Sequence, residues 1–127
     1  MKKRVLLAED HPDTAEMVKF GLERLGYEIN VATNGLEAVE KASSERPDLI
    51  IMDILMPVMD GFQATFQIRQ NPKTKDIPVL AATALATSED EQRCLTSGCN
   101  GYIAKPFTCR QLNDAIQQLF NPHTSST

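Results

Sequence analysis

Four short apolar runs punctuate the chain, and each stops at a polar residue. Val5-Leu6-Leu7-Ala8 ends in Glu9 and Asp10, Leu49-Ile50-Ile51-Met52 in Asp53, Val79-Leu80-Ala81-Ala82 in Thr83, and Tyr102-Ile103-Ala104 in Lys105. Uninterrupted apolar runs of this length read as strands buried on both faces. Pro47-Asp48 precedes the second run and Pro57 follows it, while Pro78 opens the third; each marks a boundary. A fifth segment, Tyr27-Glu28-Ile29-Asn30-Val31, alternates instead. Alternation predicts a strand with one wetter side, at the edge of its sheet.

Helical spacing fills the gaps. Asp13 with Glu16 reads as a capping box, followed by Ala15, Val18, Leu22 and Leu25 on one face and Gly26 as a left-handed stop. Asn34 caps a second helix with Glu37 at the third position and Ala38, Val39 and Ala42 as its buried stripe. Asp60 reads as the cap of a third, running from about Phe62 to Gln70 and broken by Asn71-Pro72. Ser88 with Glu91 opens a fourth that stops at Gly98. Thr108 with Gln111 opens a fifth, with Leu112, Ile116, Leu119 and Phe120 along its buried side. Strand and helix alternate five times, which predicts an α/β fold: a single doubly wound, five-stranded parallel sheet with helices on both faces. Placing the alternating second strand at an edge gives the order 2-1-3-4-5.

In that order the sheet reverses direction between the first and third strands, and ligands of open α/β sheets bind outside the carboxyl ends there. Glu9, Asp10 and Asp53 then share one corner. Three crowded carboxylates repel unless a cation neutralises them or one protonates. Mg²⁺ suits such hard oxygens and keeps other ligands open for phosphate. A carboxylate can also act as a nucleophile and become an aspartyl phosphate. The Thr83 hydroxyl and the Lys105 ammonium stand at neighbouring strand ends, where charge on a moving phosphoryl group needs neutralising. Taken singly, these residues are less telling. Lys105 reads equally as a solvated surface ion pair, Thr83 as an ordinary strand-end threonine, and Tyr102 as core. His11 reads as a loop residue, because no second His or Cys stands at ligand spacing.

Composition narrows the class. The 127 residues carry a formal net charge of −4, and Lys2-Lys3-Arg4 is the longest basic run. A direct nucleic-acid role is not expected. Three cysteines, Cys94, Cys99 and Cys109, lack a Cys-x-x-Cys spacing and read as inert, reduced packing residues of a cytoplasmic protein. No stretch has membrane-spanning length. The polar end around Pro122 predicts a disordered tail over 122–127, after one domain over 1–121.

The set of motifs resembles the response-regulator receiver domain, with its CheY-like, flavodoxin-like fold, from Arg4 to about Phe120. The resemblance rests on Glu9-Asp10, on Asp53 with Pro57 and Gly61 after it, on Thr83-Ala84, and on Lys105-Pro106-Phe107. It implies that Asp53 is the phosphoacceptor. Asp10, Asp53 and the backbone carbonyl of Leu55 would hold Mg²⁺ directly, with Glu9 acting mainly through water. Glu9 stands where many members have Asp. Thr83 would hydrogen-bond the phosphoryl group, Lys105 would pair with it, and Tyr102 would be the switch aromatic. The Lys105–Pro106 bond is cis in the family. Leu55 and Leu85 stand where the family's residues flank the path of a hydrolytic water, and two apolar side chains there imply a long-lived phosphate. The implied partners are a histidine kinase or histidine phosphotransfer protein as phosphodonor, and a downstream protein bound through the last helices and fifth strand. No membrane or direct nucleic-acid contact is implied, and a monomer or weak dimer is expected. Such a domain catalyses only its own phosphorylation and dephosphorylation. Met1 and the polar tail favour a stand-alone, single-domain regulator. The alternative is a Mg²⁺-dependent aspartyl-phosphate hydrolase of haloacid-dehalogenase type. That class carries Asp-x-Asp, whereas the residue two after Asp53 is Leu55. A nucleotide-binding fold lacks its signature here, because no Gly-rich loop follows Ala8.

Overall fold

The computed structural model describes residues 2–84 and 87–121. The elements alternate as β1 (Arg4–Ala8), α1 (Pro12–Arg24), β2 (Glu28–Ala32), α2 (Gly35–Glu45), β3 (Leu49–Asp53), α3 (Gly61–Gln70), β4 (Val79–Thr83), α4 (Ser88–Ser97), β5 (Gly101–Ala104) and α5 (Cys109–Phe120). All neighbouring strands pair in parallel in the order β2-β1-β3-β4-β5. This is the topology the alternation predicts.

The period-2 pleat divides the core between the two faces of the sheet. Leu6, Ala8, Ile50, Met52, Val79 and Ala81 face one side, where Ala38 and Ala42 of α2, Ala64 and Ile68 of α3 and Cys94 of α4 cover them. Val5, Leu7, Leu49, Ile51, Leu80 and Ala82 face the other, under Ala15, Val18 and Leu22 of α1 and Leu112 and Ile116 of α5. Every residue of β3 and β4 is buried. In β2 Ile29 is buried while Glu28 and Asn30 are exposed, as an edge strand with one wet side requires.

Several boundaries differ from the sequence reading. α1 begins at Pro12 with His11 at its cap, and no side chain caps it. Proline at the first helical position is already set for the helix, so Asp13 falls inside the first turn rather than ahead of it. Leu25 is 53% exposed, because the helix ends at Arg24 and the chain turns before Leu25 completes the stripe. Gly26, at φ 101°, takes the left-handed position. The α4 box forms one residue earlier than predicted, between Thr87 and Asp90. The Thr87 hydroxyl donates to Asp90 Oδ2 at 2.6 Å and accepts from the Asp90 N–H at 3.1 Å. Asn34, Asp60 and Thr108 cap their helices. Val39, Leu119 and Phe120 are half-buried. Among the described residues no helix is long and apolar enough to cross a membrane. The predicted tail at 122–127 lies outside the described residues.

Candidate functional site

Strand register assembles the site. Ala8 pairs with Met52, so Glu9 and Asp53 leave β1 and β3 at the same level. Asp53 pairs with Ala82, and Thr83 with Ala104. Lys105 continues the β5 ladder by one bond, its N–H donating to the Thr83 carbonyl at 2.9 Å. The Lys105–Pro106 peptide bond is cis.

Lys105 Nζ donates to Glu9 Oε1 at 2.7 Å and to Asp53 Oδ2 at 3.2 Å. The ammonium thus bridges β1 and β3 at the reversal point of the sheet. Glu9 and Asp53 are 4% and 5% exposed, so neither carboxylate is solvated as a surface ion pair would be. Asp53 Oδ1 accepts the Leu55 N–H at 3.2 Å. Thr83 is fully buried at the end of β4. The Asp10 side chain is about one-quarter exposed, yet its Oδ1 is buried with no hydrogen-bond partner among the described residues.

Burial and charge set the protonation pattern. Burial first, and the neighbouring Glu9 charge second, push the Asp53 carboxyl up to about 6, against the pull of Lys105. Burial alone would raise Glu9 as well. The Lys105 hydrogen bond, the His11 N–H and the Lys105 charge outweigh it and hold Glu9 below its ordinary value. Burial would lower Lys105, but its hydrogen bond to Glu9 and the two carboxylate charges raise it. The corner therefore keeps one carboxylate firmly ionised and loads the strain of like charge onto Asp53.

The loop after β3 is shaped by close approach. A Cβ at Gly61 would lie 2.5 Å from the Asp53 carbonyl oxygen, so only glycine lets α3 start this near the strand end. Val58 has φ 70° and is 76% exposed. The Met59 N–H donates to the Pro57 carbonyl at 2.7 Å around it, a tight three-residue turn that strains a β-branched residue. Leu55 is 54% exposed and lines an open cleft of about 280 Å³ with His11, Thr14, Asp53, Ala84 and Lys105. Leu85, the other residue read as guarding the water path, lies outside the described residues. Tyr102 is half-buried and packs against the core under α4.

His11 is the residue the sequence reading set aside. Its Nδ1 lies 3.4 Å from Glu9 Oε2 and 3.4 Å from Asp10 Oδ1. Glu9, Asp10 and His11 offer atoms that all lie within 4.8 Å of one another. The signal was local: Pro12 starts α1 directly after His11, which turns the loop back over the acidic pair.

Comparison with known proteins places the chain. The response regulator receiver domain family model matches residues 5–117. The polar-differentiation response regulator DivK of Brucella anthropi is 37% identical over 92% of this chain and 95% of its own. Among solved structures, the chemotaxis response regulator CheY4 of Vibrio cholerae superposes with a TM-score of 0.89 at 34% identity, covering 94% of this chain and 99% of that one. The receiver domain of the sensor histidine kinase PA1611 of Pseudomonas aeruginosa, solved with a magnesium ion coordinated in its active-site cleft, gives 0.86 at 36% identity over 93% and 97%. The chain spans about half the length of two transcriptional regulators that it also matches. The hydrolase alternative finds no support in these matches. The chain belongs to the response regulator receiver domain family, the phosphorylation-dependent switches of two-component signalling.

Proposed function

We propose that Asp53 is the phosphoacceptor and that the corner formed by Glu9, Asp10, Asp53, Thr83 and Lys105 carries the transfer. The observation that carries this reading is the buried Asp53 carboxylate, bridged to Glu9 by Lys105 at the carboxyl ends of β1 and β3. An Asp forced toward protonation by burial has no structural excuse at a strand end, where solvent is one residue away.

The donor set fits a hard divalent cation. Asp10 Oδ1 is buried with no hydrogen-bond partner among the described residues, and the other donors at the corner are oxygens, the ligands Mg²⁺ prefers. Asp10, Asp53 and the Leu55 carbonyl would hold it, with Glu9 reached through water. When bound, the cation supplies positive charge for the oxygens of an incoming phosphoryl group. The chain's own residues do the rest. Asp53 attacks through a carboxylate oxygen. Lys105 already stands 3.2 Å from that carboxylate and pairs with the phosphoryl oxygens. The Thr83 hydroxyl accepts the role of third donor, and Tyr102 follows as Thr83 moves. The consequence is a population shift in the α4–β5–α5 face, which binds a downstream protein. The phosphodonor is a histidine kinase or histidine phosphotransfer protein, met in the cytoplasm. The domain catalyses only gain and loss of its own phosphate.

The test is incorporation from acetyl phosphate with Mg²⁺, read by intact mass. The wild type should gain one acid-labile phosphate. Asp53→Asn should gain none, and EDTA should stop the wild-type reaction. Full incorporation in Asp53→Asn would assign the acceptor elsewhere.

A further inference from the structure

The acidic pair is not built of oxygen alone. We propose that His11 Nδ1 joins Glu9 Oε2 and Asp10 Oδ1 as a third ligand atom for a divalent cation, so that this site also takes borderline transition cations of the Zn²⁺ class. The inference rests on the reading that Asp10 holds a cation, and it gives that acid a second ligand set in which Glu9 binds directly and His11 supplies a nitrogen.

Three observations carry it. First, the spacing is that of ligands around a metal. Zinc bound tetrahedrally by N and O at about 2.1 Å places neighbouring ligand atoms roughly 3.4 Å apart. His11 Nδ1 stands 3.4 Å from each of the two oxygens. For an N–H···O hydrogen bond that separation is long, and Asp10 Oδ1 accordingly has no hydrogen-bond partner among the described residues although it is buried.

Second, the oxygens of Glu9 divide their work. Lys105 takes Oε1 at 2.7 Å. Oε2 is left on the side of His11, where its contacts are the His11 N–H at 3.2 Å and the imidazole at 3.4 Å. The ammonium is thus not in competition for the oxygen that faces Asp10 and His11.

Third, the imidazole is placed by the backbone and still free to adjust. Pro12 at the first helical position and the His11 N–H bond to Glu9 fix the loop. The His11 side chain is 72% exposed, so it can close by a few tenths of an ångström without displacing core. Imidazole favours Zn²⁺, Ni²⁺ and Cu²⁺, whereas an all-oxygen site suits Mg²⁺ and Mn²⁺. One nitrogen in a carboxylate pair therefore changes which cation the corner selects, and a bound Zn²⁺ would compete with Mg²⁺ for Asp10.

The experiment uses the full chain with His123, the other histidine, replaced by Gln in every sample. Zn²⁺ and Mg²⁺ are titrated separately, following ¹⁵N resonances of the His11 ring and affinity by calorimetry. In the wild-type background Zn²⁺ should shift Nδ1 far more than Nε2. His11→Gln should weaken Zn²⁺ binding at least ten-fold and alter Mg²⁺ binding less than two-fold. If Mg²⁺ binds but Zn²⁺ leaves Nδ1 unmoved, or if His11→Gln binds Zn²⁺ equally well, His11 is only a partner of the two acids and the inference falls. If neither cation binds, the acidic-pair reading itself has failed and takes this inference with it.

Discussion

The two halves of the sheet's carboxyl edge are anchored very differently. On the β1–β3 side, every residue of β3 is buried, and Lys105 ties Glu9 to Asp53 across the gap. α3 buries Gly61, Phe62, Ala64, Thr65 and Ile68. On the β4–β5 side β4 is buried as fully as β3, but α4 buries Cys94 alone, and the residues of β5 are half-buried or exposed. The end of α4 is held by hydrogen bonds more than by packing: Arg69 donates through Nε to the Gly98 carbonyl at 3.0 Å and through Nη2 to Asn100 Oδ1 at 2.7 Å. Few buried apolar contacts mean a low free energy for local rearrangement. The helix beside the carboxylates is held by a larger buried face than α4 is.

The largest effect should come from testing that asymmetry directly. Ile68 on α3 is 1% exposed, while Leu95 on α4 is 46% exposed. Truncating a buried isoleucine to alanine costs about 2–5 kcal/mol, whereas a surface truncation stays within about 0.5 kcal/mol. Ile68→Ala should therefore lower the urea midpoint steeply, and Leu95→Ala should leave it nearly unchanged. Equal losses would mean α4 is anchored as firmly as α3, and the contrast would be wrong.

A smaller effect follows from the charge on the β1–β3 side. The folded pKa of Asp53, about 6, lies above the ordinary Asp value of about 3.9. The folded state thus binds this proton more tightly than the unfolded chain does. Asp53 favours folding fully below about pH 4, and that contribution is lost as pH rises through about 6. Asp53→Asn should match the wild type near pH 4 in EDTA and exceed it above pH 7, by on the order of 2 kcal/mol. Mg²⁺ should narrow the gap by neutralising the wild-type corner. Urea titrations across this range check it. A variant less stable at pH 7, or a gap flat with pH, would show that Lys105 outweighs burial.

Much of this contrast is legible in the sequence. The uninterrupted run Leu49–Met52 announced a strand buried on both faces, and the alternation at Glu28–Val31 announced an edge. The polar residue closing each run located the site, because parallel strands end on one side. Other features were hidden for physical reasons. Thr87 with Asp90 and Ser88 with Glu91 are both competent boxes by spacing, and spacing alone does not choose between them. Leu25 fits the helical period, but the helix stops one residue short of it. A valine at φ 70° could not be read at position 58, since β-branched residues disfavour that conformation. His11 is the loop residue the spacing implies, but its approach to Glu9 and Asp10 was not legible, because it depends on α1 starting directly after it at Pro12.

The smallest effect concerns the cleft where the two sides meet. Loss of phosphate from Asp53 needs a water in line with the bond that breaks. Leu55 stands on that cleft, 54% exposed, and brings no group that can orient a water. Leu85, two residues after Thr83, is apolar as well. Positioning is most of the catalysis in phosphoryl transfer, so two such side chains leave the water without guidance. We expect a long-lived phosphate. Leu55→Asn combined with Leu85→Glu should release it several-fold faster once the donor is removed, a change of about 1 kcal/mol in the barrier. The single Leu55→Asn variant separates the two contributions. If Leu55→Asn alone gives the full acceleration, the water is positioned from the loop after β3. If both are needed, both positions share in guiding it. Equal lifetimes in wild type and double variant would mean that backbone geometry, not these side chains, sets the decay.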